Sequence, residues 1–179
     1  NRAAQDLARW QRSFPKTPAL FVSVNVAWPQ VSDPAFARDL AFQLHNAGLA
    51  PGSPKLELTE SAIMAGADRA EGALRGLREL GAELAIDDFG TGHSSLSRLR
   101  RFPFAAIKID KSFLADAHDK AGAAILASIV SLAHELKLTV VAEGVETLAD
   151  AALLKRLGCE YGQGYLFGAA MTLENANAL

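Results

Sequence analysis

The sequence predicts an α/β fold with a parallel sheet, and three observations favour it. Short apolar runs rich in β-branched residues recur six times along the 179 residues. Helical patterns fill the gaps between these runs, as in parallel sheets covered by helices. Nearly every run also carries a polar residue at or near its C-terminal end. The runs, and so the predicted strands, are residues 20–26, 55–60, 83–89, 105–110, 138–145 and 161–167.

The polar strand ends distinguish between two architectures, an open doubly wound sheet and a closed TIM-like (β/α)8 barrel. In an open sheet, ligand groups concentrate where the strand order reverses, whereas here all six strands contribute one, as in the ring of a barrel. We therefore expect a barrel. A full barrel has eight β/α units in typically about 250 residues, so residues 1–179 are expected to be one domain that is truncated at its N-terminus, with about six units.

Capping residues mark the predicted helices. Asp33 and Pro34 are typical of a helix start, and Gly48 of its end. Thr147 is a second N-cap candidate, with the helix ending before Gly158. Further helices are predicted over residues 1–14, 67–80 and 119–136.

Composition excludes several classes of protein. A net charge of −2 gives no basic surface for long nucleic acid. Cys159 is the one cysteine, so no internal disulfide can form and a reducing, cytoplasmic location is expected. The N-terminus lacks the apolar core of a signal peptide, and the longest nearly apolar run, residues 121–133, is too short to span a bilayer. We expect a soluble protein, or the cytoplasmic part of a membrane-attached one.

Four carboxylates, those of Glu57, Asp87, Asp88 and Glu143, are predicted to converge at one end of the barrel. Ionised and unpaired they would be costly there, so divalent cations are the natural counter-charge. With the amide of Asn25 the donors are all oxygen, which favours Mg²⁺ or Mn²⁺. Two such ions clamp the attacking and leaving oxygens in phosphoryl transfer.

Adjacent strand residues point to opposite faces, so Asp87 and Asp88 can converge only if their strand ends or bulges. The following residues 89–92, Phe-Gly-Thr-Gly, supply such a break. Lys108 is the only cation predicted at the ring and could orient an attacking water. Gln163, between two glycines, could hydrogen-bond a ligand.

Each motif also has a structural interpretation. The paired aspartates could mark only a turn, and Lys108 with Asp110 could be a buried ion pair. The segment "LELTES" could be an edge strand with Glu60 or Ser61 capping the next helix. Glu143 could be an exposed loop acid. Their common position at successive strand ends favours the metal site.

Five ordered segments resemble the signatures of the EAL domain, a family of bacterial cyclic di-GMP phosphodiesterases with a modified (β/α)8 barrel fold. These segments are "SVNVAWPQ", "LELTES", "DDFGTGHSSLSRLRRFPFAAIKIDKSF", "VVAEGVET" and "GCEYGQGYLF". The resemblance implies that two Mg²⁺ or Mn²⁺ ions activate a water that opens cyclic di-GMP to linear pGpG. It implies metal ligands at Asn25, Glu57, Asp87, Asp88 and Glu143.

The same resemblance implies further roles and partners. Lys108 would position the nucleophilic water, Gln163 and Asp110 would serve the substrate, and Glu60 would hold the loop 89–95 that couples the site to a homodimer. Sensor or diguanylate-cyclase domains are expected in the same protein. The family's Glu-Ala-Leu strand, whose Glu is a metal ligand, is not in this sequence, so the fragment could be inactive. The alternative function is a catalytically inactive cyclic di-GMP receptor.

Overall fold

The computed structural model describes residues 2–15, 18–65, 67–90 and 100–178. The chain divides into two compact units, Asn1–Ile107 and Lys108–Leu179. The strand β4, Ala106–Ile109, begins in the first unit and ends in the second. Of the predicted loop 89–95, residues from 91 onward lie outside the described ranges.

The described part of the first unit contains three complete parallel strands and the helices that connect them. β1 pairs with β2, and β2 pairs with β3. The amide of Ala105 donates to the carbonyl of Leu84 at 2.9 Å, so the chain enters β4 beside β3. The elements are α1 (Arg2–Ser13), β1 (Val22–Asn25), α2 (Trp28–Val31), α3 (Pro34–Ala47), β2 (Pro54–Thr59), α4 (Glu60–Ala65), α5 (Ala67–Glu79) and β3 (Glu83–Phe89).

Apolar side chains on one face of β2 and β3 contribute to the core of this unit. Leu58 and Leu84 lie on that face and are fully buried, as are Leu74 and Leu77 of α5. The helix limits follow local signals: the Asp33 side chain accepts from the Ala35 amide, as an N-cap does.

The second unit continues the alternation. The amide of Glu143 donates to the carbonyl of Ile109 at 3.1 Å, which joins the end of β5 to β4. β5 pairs in parallel with β6. The elements are α6 (Lys111–Asp116), α7 (Lys120–Glu135), β5 (Thr139–Ala142), α8 (Leu148–Leu157), β6 (Tyr161–Gly162) and α9 (Leu173–Ala176). Among the described helices of both units, none is both long and apolar enough to cross a membrane.

Most predicted elements are confirmed, with two kinds of difference. The strand predicted at 161–167 covers only residues 161–162, because the amides of Phe167 and Gly168 both turn back to the carbonyl of Gly164. Among the described residues, four short helices were not predicted, and one of them, α4, begins at Glu60, which the sequence pattern assigns to a strand. Helices of four to six residues are too short to show a periodic pattern.

Candidate functional site

Three of the predicted site residues share one face of the sheet in the first unit. Asn25 is in register with Glu57, and Thr59 with Asp87. Registered residues of neighbouring strands point to the same face, as do residues two apart in one strand. Asn25, Glu57 and Asp87 therefore lie on one face, towards the C-terminal ends of β1, β2 and β3.

Asp88 reaches the same place because the backbone leaves the regular strand geometry there. Its φ is +54°, in the left-handed region, and that of Gly90 is +93°. Alternation is lost, and carboxylate oxygens of Asp87 and Asp88 lie within 4.8 Å of one another. The predicted strand break is confirmed, and these aspartates lie within β3 instead of marking only a turn. A left-handed non-glycine residue costs about 1 kcal/mol, and such strain collects at functional sites.

Two buried glutamates lie on either side of Thr59. Glu57 is 7% exposed and Glu60 is 3% exposed. The Glu60 carboxylate accepts from the Gly90 amide at 3.0 Å through Oε2, whereas its buried Oε1 has no hydrogen-bond partner among the described residues. Glu60 therefore holds the backbone that directly follows the two aspartates.

The edge-strand interpretation of "LELTES" is wrong. β2 lies between β1 and β3, so it is not an edge. Glu60 does not cap α4, because its carboxylate is directed to Gly90. The side chain nearest to a cap is that of Thr59, whose Oγ1 is 3.4 Å from the Ala62 amide.

In the second unit, Lys108 forms an ion pair with Glu143. Lys108 Nζ lies 2.6 Å from Glu143 Oε1, and the two side chains are 6% and 22% exposed. The interpretation of Glu143 as an exposed loop acid is therefore wrong. Lys108 does take part in an ion pair that is largely buried. Its partner is Glu143, however, and not Asp110, which the sequence suggested.

Asp110 caps the following helix instead. Its Oδ1 accepts from the Ser112 amide at 3.0 Å and from Ser112 Oγ at 2.5 Å. These two hydrogen bonds lower the pKa of Asp110 from its usual value, since they stabilise the charged form. This cap was not among the predictions, although Asp is a preferred N-cap residue.

Gln163 is bound to the end of β5 through its backbone. Its amide donates to the carbonyl of Ala142 at 2.8 Å, and its carbonyl accepts from the Val145 amide at 3.0 Å. The residue is exposed. Between the two contacts lie Glu143 and Gly144, whose φ of +70° is left-handed. No role was predicted for Gly144, although glycine is the residue that adopts a left-handed φ most readily.

The donors of the first unit suit a hard divalent cation. They are carboxylate and amide oxygens, the ligand type that Mg²⁺ and Mn²⁺ prefer. Two carboxylates as close as those of Asp87 and Asp88 repel each other, and a bound cation would offset that repulsion. In the second unit, Glu143 offers a further carboxylate with a neighbouring cation.

Comparison with known proteins identifies the relatives of this chain. The EAL domain family model matches residues 1–170. The chain is 43% identical over 155 residues to the cyclic di-GMP phosphodiesterase NbdA of Pseudomonas aeruginosa, covering 86% of this chain and 20% of that protein. It is 42% identical over 154 residues to the bifunctional diguanylate cyclase/cyclic di-GMP phosphodiesterase MucR of the same organism, covering 86% and 22%.

A solved structure has the same fold. The PaMucR phosphodiesterase in its c-di-GMP complex matches with a TM-score of 0.89 and 38% identity, covering 98% of this chain and 70% of that chain. The fold is thus α/β, an incomplete TIM-like barrel, as the sequence predicts. The chain spans about a fifth of the length of the two curated relatives.

Proposed function

Because this chain belongs to the EAL domain family, we propose that it hydrolyses one phosphodiester of cyclic di-GMP to give linear pGpG, using two Mg²⁺ or Mn²⁺ ions. The observation that carries the proposal is the oxygen-rich face of the first unit, where Asn25, Glu57 and Asp87 share one side of the sheet and Asp88 turns towards Asp87. Residues 1–179 would be part of one such phosphodiesterase domain.

The proposed ligands are all oxygen donors, four carboxylates and one side-chain amide, which suits hard divalent ions. A pair of ions needs several anionic ligands, and bridging carboxylates bring two ions to within about 4 Å of each other. Asp87 and Asp88 would both hold ions, and one of them could be shared between the two. The proposed ligands are Asn25, Glu57, Asp87, Asp88 and Glu143.

The bound ions would supply charge neutralisation at the phosphate and a lowered pKa for the attacking water. Lys108 is buried beside Glu143, so its ammonium group is fixed in direction and can donate a hydrogen bond that orients this water. Glu143 accepts from the same ammonium group and holds it in place. Lys108, Glu143 and Asp87 are therefore the proposed catalytic residues.

Two further residues are proposed for the substrate side. Gln163 is exposed, and its backbone N–H and C=O are both hydrogen-bonded, to Ala142 and Val145. Its side-chain amide therefore extends to solvent from a backbone that is held in place. Asp110 has one carboxylate oxygen already engaged by Ser112. Gln163 is therefore the stronger of the two candidates, and Asp110 could contact substrate only through its other oxygen.

Glu60 is proposed to couple the site to a homodimer. Its hydrogen bond to the Gly90 amide fixes the chain two residues after Asp88. Movement of this segment would alter the position of the two aspartates. Since the named activities of MucR include a diguanylate cyclase, we also propose that cyclase or sensor domains accompany this chain.

The test is hydrolysis by the full-length protein that contains this chain. Purified protein is incubated with cyclic di-GMP and Mg²⁺ or Mn²⁺, and pGpG is quantified by chromatography. Asp87→Asn should abolish turnover, whereas Glu79→Gln, a change at an exposed acid of α5, should not. Tight binding of cyclic di-GMP without turnover would favour the receptor function, and folded protein that neither binds nor cleaves it would reject both.

A further inference from the structure

The end of β5 contains a bulge that carries Glu143. In a regular parallel ladder, a residue whose amide bonds to Ala142 would accept from the amide of residue 144. The amide of Gln163 does bond to Ala142, at 2.8 Å, but its carbonyl accepts from Val145, at 3.0 Å. One extra residue therefore lies opposite Gln163. Bulges of this kind change the direction of a side chain next to active sites.

Two glycines allow this bulge to form. Gly144 has a left-handed φ of +70°, and a Cβ there would lie 2.5 Å from Lys111 Cβ. A Cβ on Gly164 would lie 2.2 Å from the oxygen and 2.3 Å from the nitrogen of Val145. The Leu166 amide also donates to the Val145 carbonyl at 3.0 Å. The backbone at Gly164 is thus packed directly on Val145, where no side chain fits.

We infer that Gly144 and Gly164 are positioning residues that hold the carboxylate of Glu143 against Lys108. The Glu143 amide is fixed on its other side by the carbonyl of Ile109, at 3.1 Å. With the bulge held by the Gln163 and Gly164 contacts, the side chain of Glu143 reaches Lys108 Nζ at 2.6 Å. The inference rests on the proposed function for its catalytic consequence, but the geometry can be tested separately.

A positioning role of Gly144 and Gly164 can be distinguished from a role in which the same glycines only stabilise the fold. A misplacement of about 1 Å in a catalytic group can cost about 100-fold in rate. Such a loss appears in kcat, whereas a change at the neighbouring Gln163, which is proposed to contact the substrate, would appear in KM. A structural turn would lower the free energy of unfolding and leave the kcat of the folded fraction unchanged.

The experiment compares Gly164→Ala with Gly162→Ala in the full-length protein. At Gly162 a Cβ would meet only side-chain atoms, of Phe167 and Val145, at 3.3 Å. We expect Gly164→Ala to lower kcat about 100-fold, apart from any change in KM that comes from the neighbouring Gln163. Hydrogen exchange at the amides of Val145 and Gln163 should accelerate, while that at Leu126 in the core of α7 stays slow. Gly162→Ala should retain most of its kcat.

Rapid hydrogen exchange along the whole chain would show that Gly164→Ala has not folded. A second pair of variants tests the inference in that case. Gly144→Asn should lose kcat, because asparagine accepts a left-handed φ but its Cβ still meets Lys111. Adding Lys111→Gly removes the opposing Cβ and should restore part of the loss. Wild-type kcat in folded Gly164→Ala, or no rescue of Gly144→Asn by Lys111→Gly, would overturn the inference.

If the wild-type protein itself shows no turnover, the proposed function fails but the positioning is still tested. Crystal structures of the variants then give the separation of Lys108 Nζ and Glu143 Oε1. We expect it to rise from 2.6 Å to beyond hydrogen-bond distance in Gly164→Ala and to stay unchanged in Gly162→Ala. An unchanged ion pair in Gly164→Ala would overturn the inference by itself.

Discussion

Lys108 Nζ lies 2.6 Å from Glu143 Oε1, which pairs a cation of β4 with the residue that follows β5. The two residues are 35 positions apart in the sequence, and the ion pair depends on the parallel pairing that brings Ile109 beside Glu143. One residue therefore cannot be changed without altering the charge environment of the other. A site proposed to handle a phosphate and a nucleophilic water has this cation held in place before any substrate arrives.

Lys108→Met should separate the stability of this pair from its catalytic role. Removing the cation leaves the partly buried charge of Glu143 without it, and we expect a loss of about 2 kcal/mol in the free energy of unfolding. The double variant Lys108→Met with Glu143→Gln should recover most of that stability and none of the turnover. Urea denaturation measures the first quantity and pGpG formation the second. Additive stability losses in the double variant would show that the two side chains do not interact.

Asp110→Ala should act mainly on stability. Loss of an N-cap costs about 1 kcal/mol, and the cap here is formed by the two hydrogen bonds from Ser112. A large rise in KM for cyclic di-GMP with unchanged stability would instead support direct contact with the substrate. Asp110→Asn, which keeps an acceptor oxygen, is the matched control.

The contribution of Asp110 should also depend on pH. Its pKa is lowered in the folded protein, chiefly by the Ser112 hydrogen bonds. The stabilisation is therefore fully present above the unfolded value of 3.8 and is lost as the pH falls through the lower, folded pKa. The stability difference between wild type and Asp110→Asn should be constant near neutral pH and shrink only in acid. A difference that varies between pH 6 and 8 would contradict this.

Glu60→Ala and Glu60→Gln should differ sharply. Glutamine keeps an oxygen that can accept from the Gly90 amide, whereas alanine removes this acceptor. We expect Glu60→Ala to lose at least about tenfold in turnover and about 1–3 kcal/mol in stability, and Glu60→Gln to lose far less of both. Equal activity of the two variants would show that the Gly90 contact is not what Glu60 supplies. Analytical ultracentrifugation of the same proteins tests the proposed link to a homodimer.

Cys159 should react slowly with alkylating agents. Burial, with a smaller effect of the Glu160 charge, raises its pKa to about 11. At pH 8 only about 0.1% of the thiol is then thiolate, the reactive form. We expect iodoacetamide to modify it slowly at pH 8, with the rate rising about tenfold per pH unit, and quickly in denaturant. Glu160→Gln should increase the rate, and rapid modification of the folded wild type at pH 8 would contradict the raised pKa.

Features that depend on neighbouring residues could be predicted from the sequence. The helix that runs from Asp33 to Gly48 and the one that runs from Thr147 to Gly158 both have the predicted caps, because capping is decided within a few residues. β3 occupies the predicted residues 83–89. The loss of strand geometry at Asp88 and Gly90 was also foreseeable, because Asp87 and Asp88 can converge only if their strand ends or bulges there.

Features that depend on distant contacts could not be predicted. β6 is short because the turn at Gly164 packs on Val145, which lies 19 positions earlier. Lys108 pairs with Glu143 and not with the nearer Asp110, because Asp110 is engaged by Ser112. Glu60 looks like the last residue of a strand, and only its contact with Gly90 reveals why its carboxylate is buried.

Anomalous scattering at the manganese edge, from crystals of the full-length protein soaked in Mn²⁺, tests the proposed metal centre most directly. We predict two peaks about 4 Å apart, with oxygen ligands about 2.1 Å from each, drawn from Asn25, Glu57, Asp87, Asp88 and Glu143. Asp87→Asn crystals should lose at least one peak, whereas Glu79→Gln crystals should keep both. The absence of manganese from these five residues in wild-type crystals, at a concentration that supports turnover in solution, would contradict the proposed mechanism.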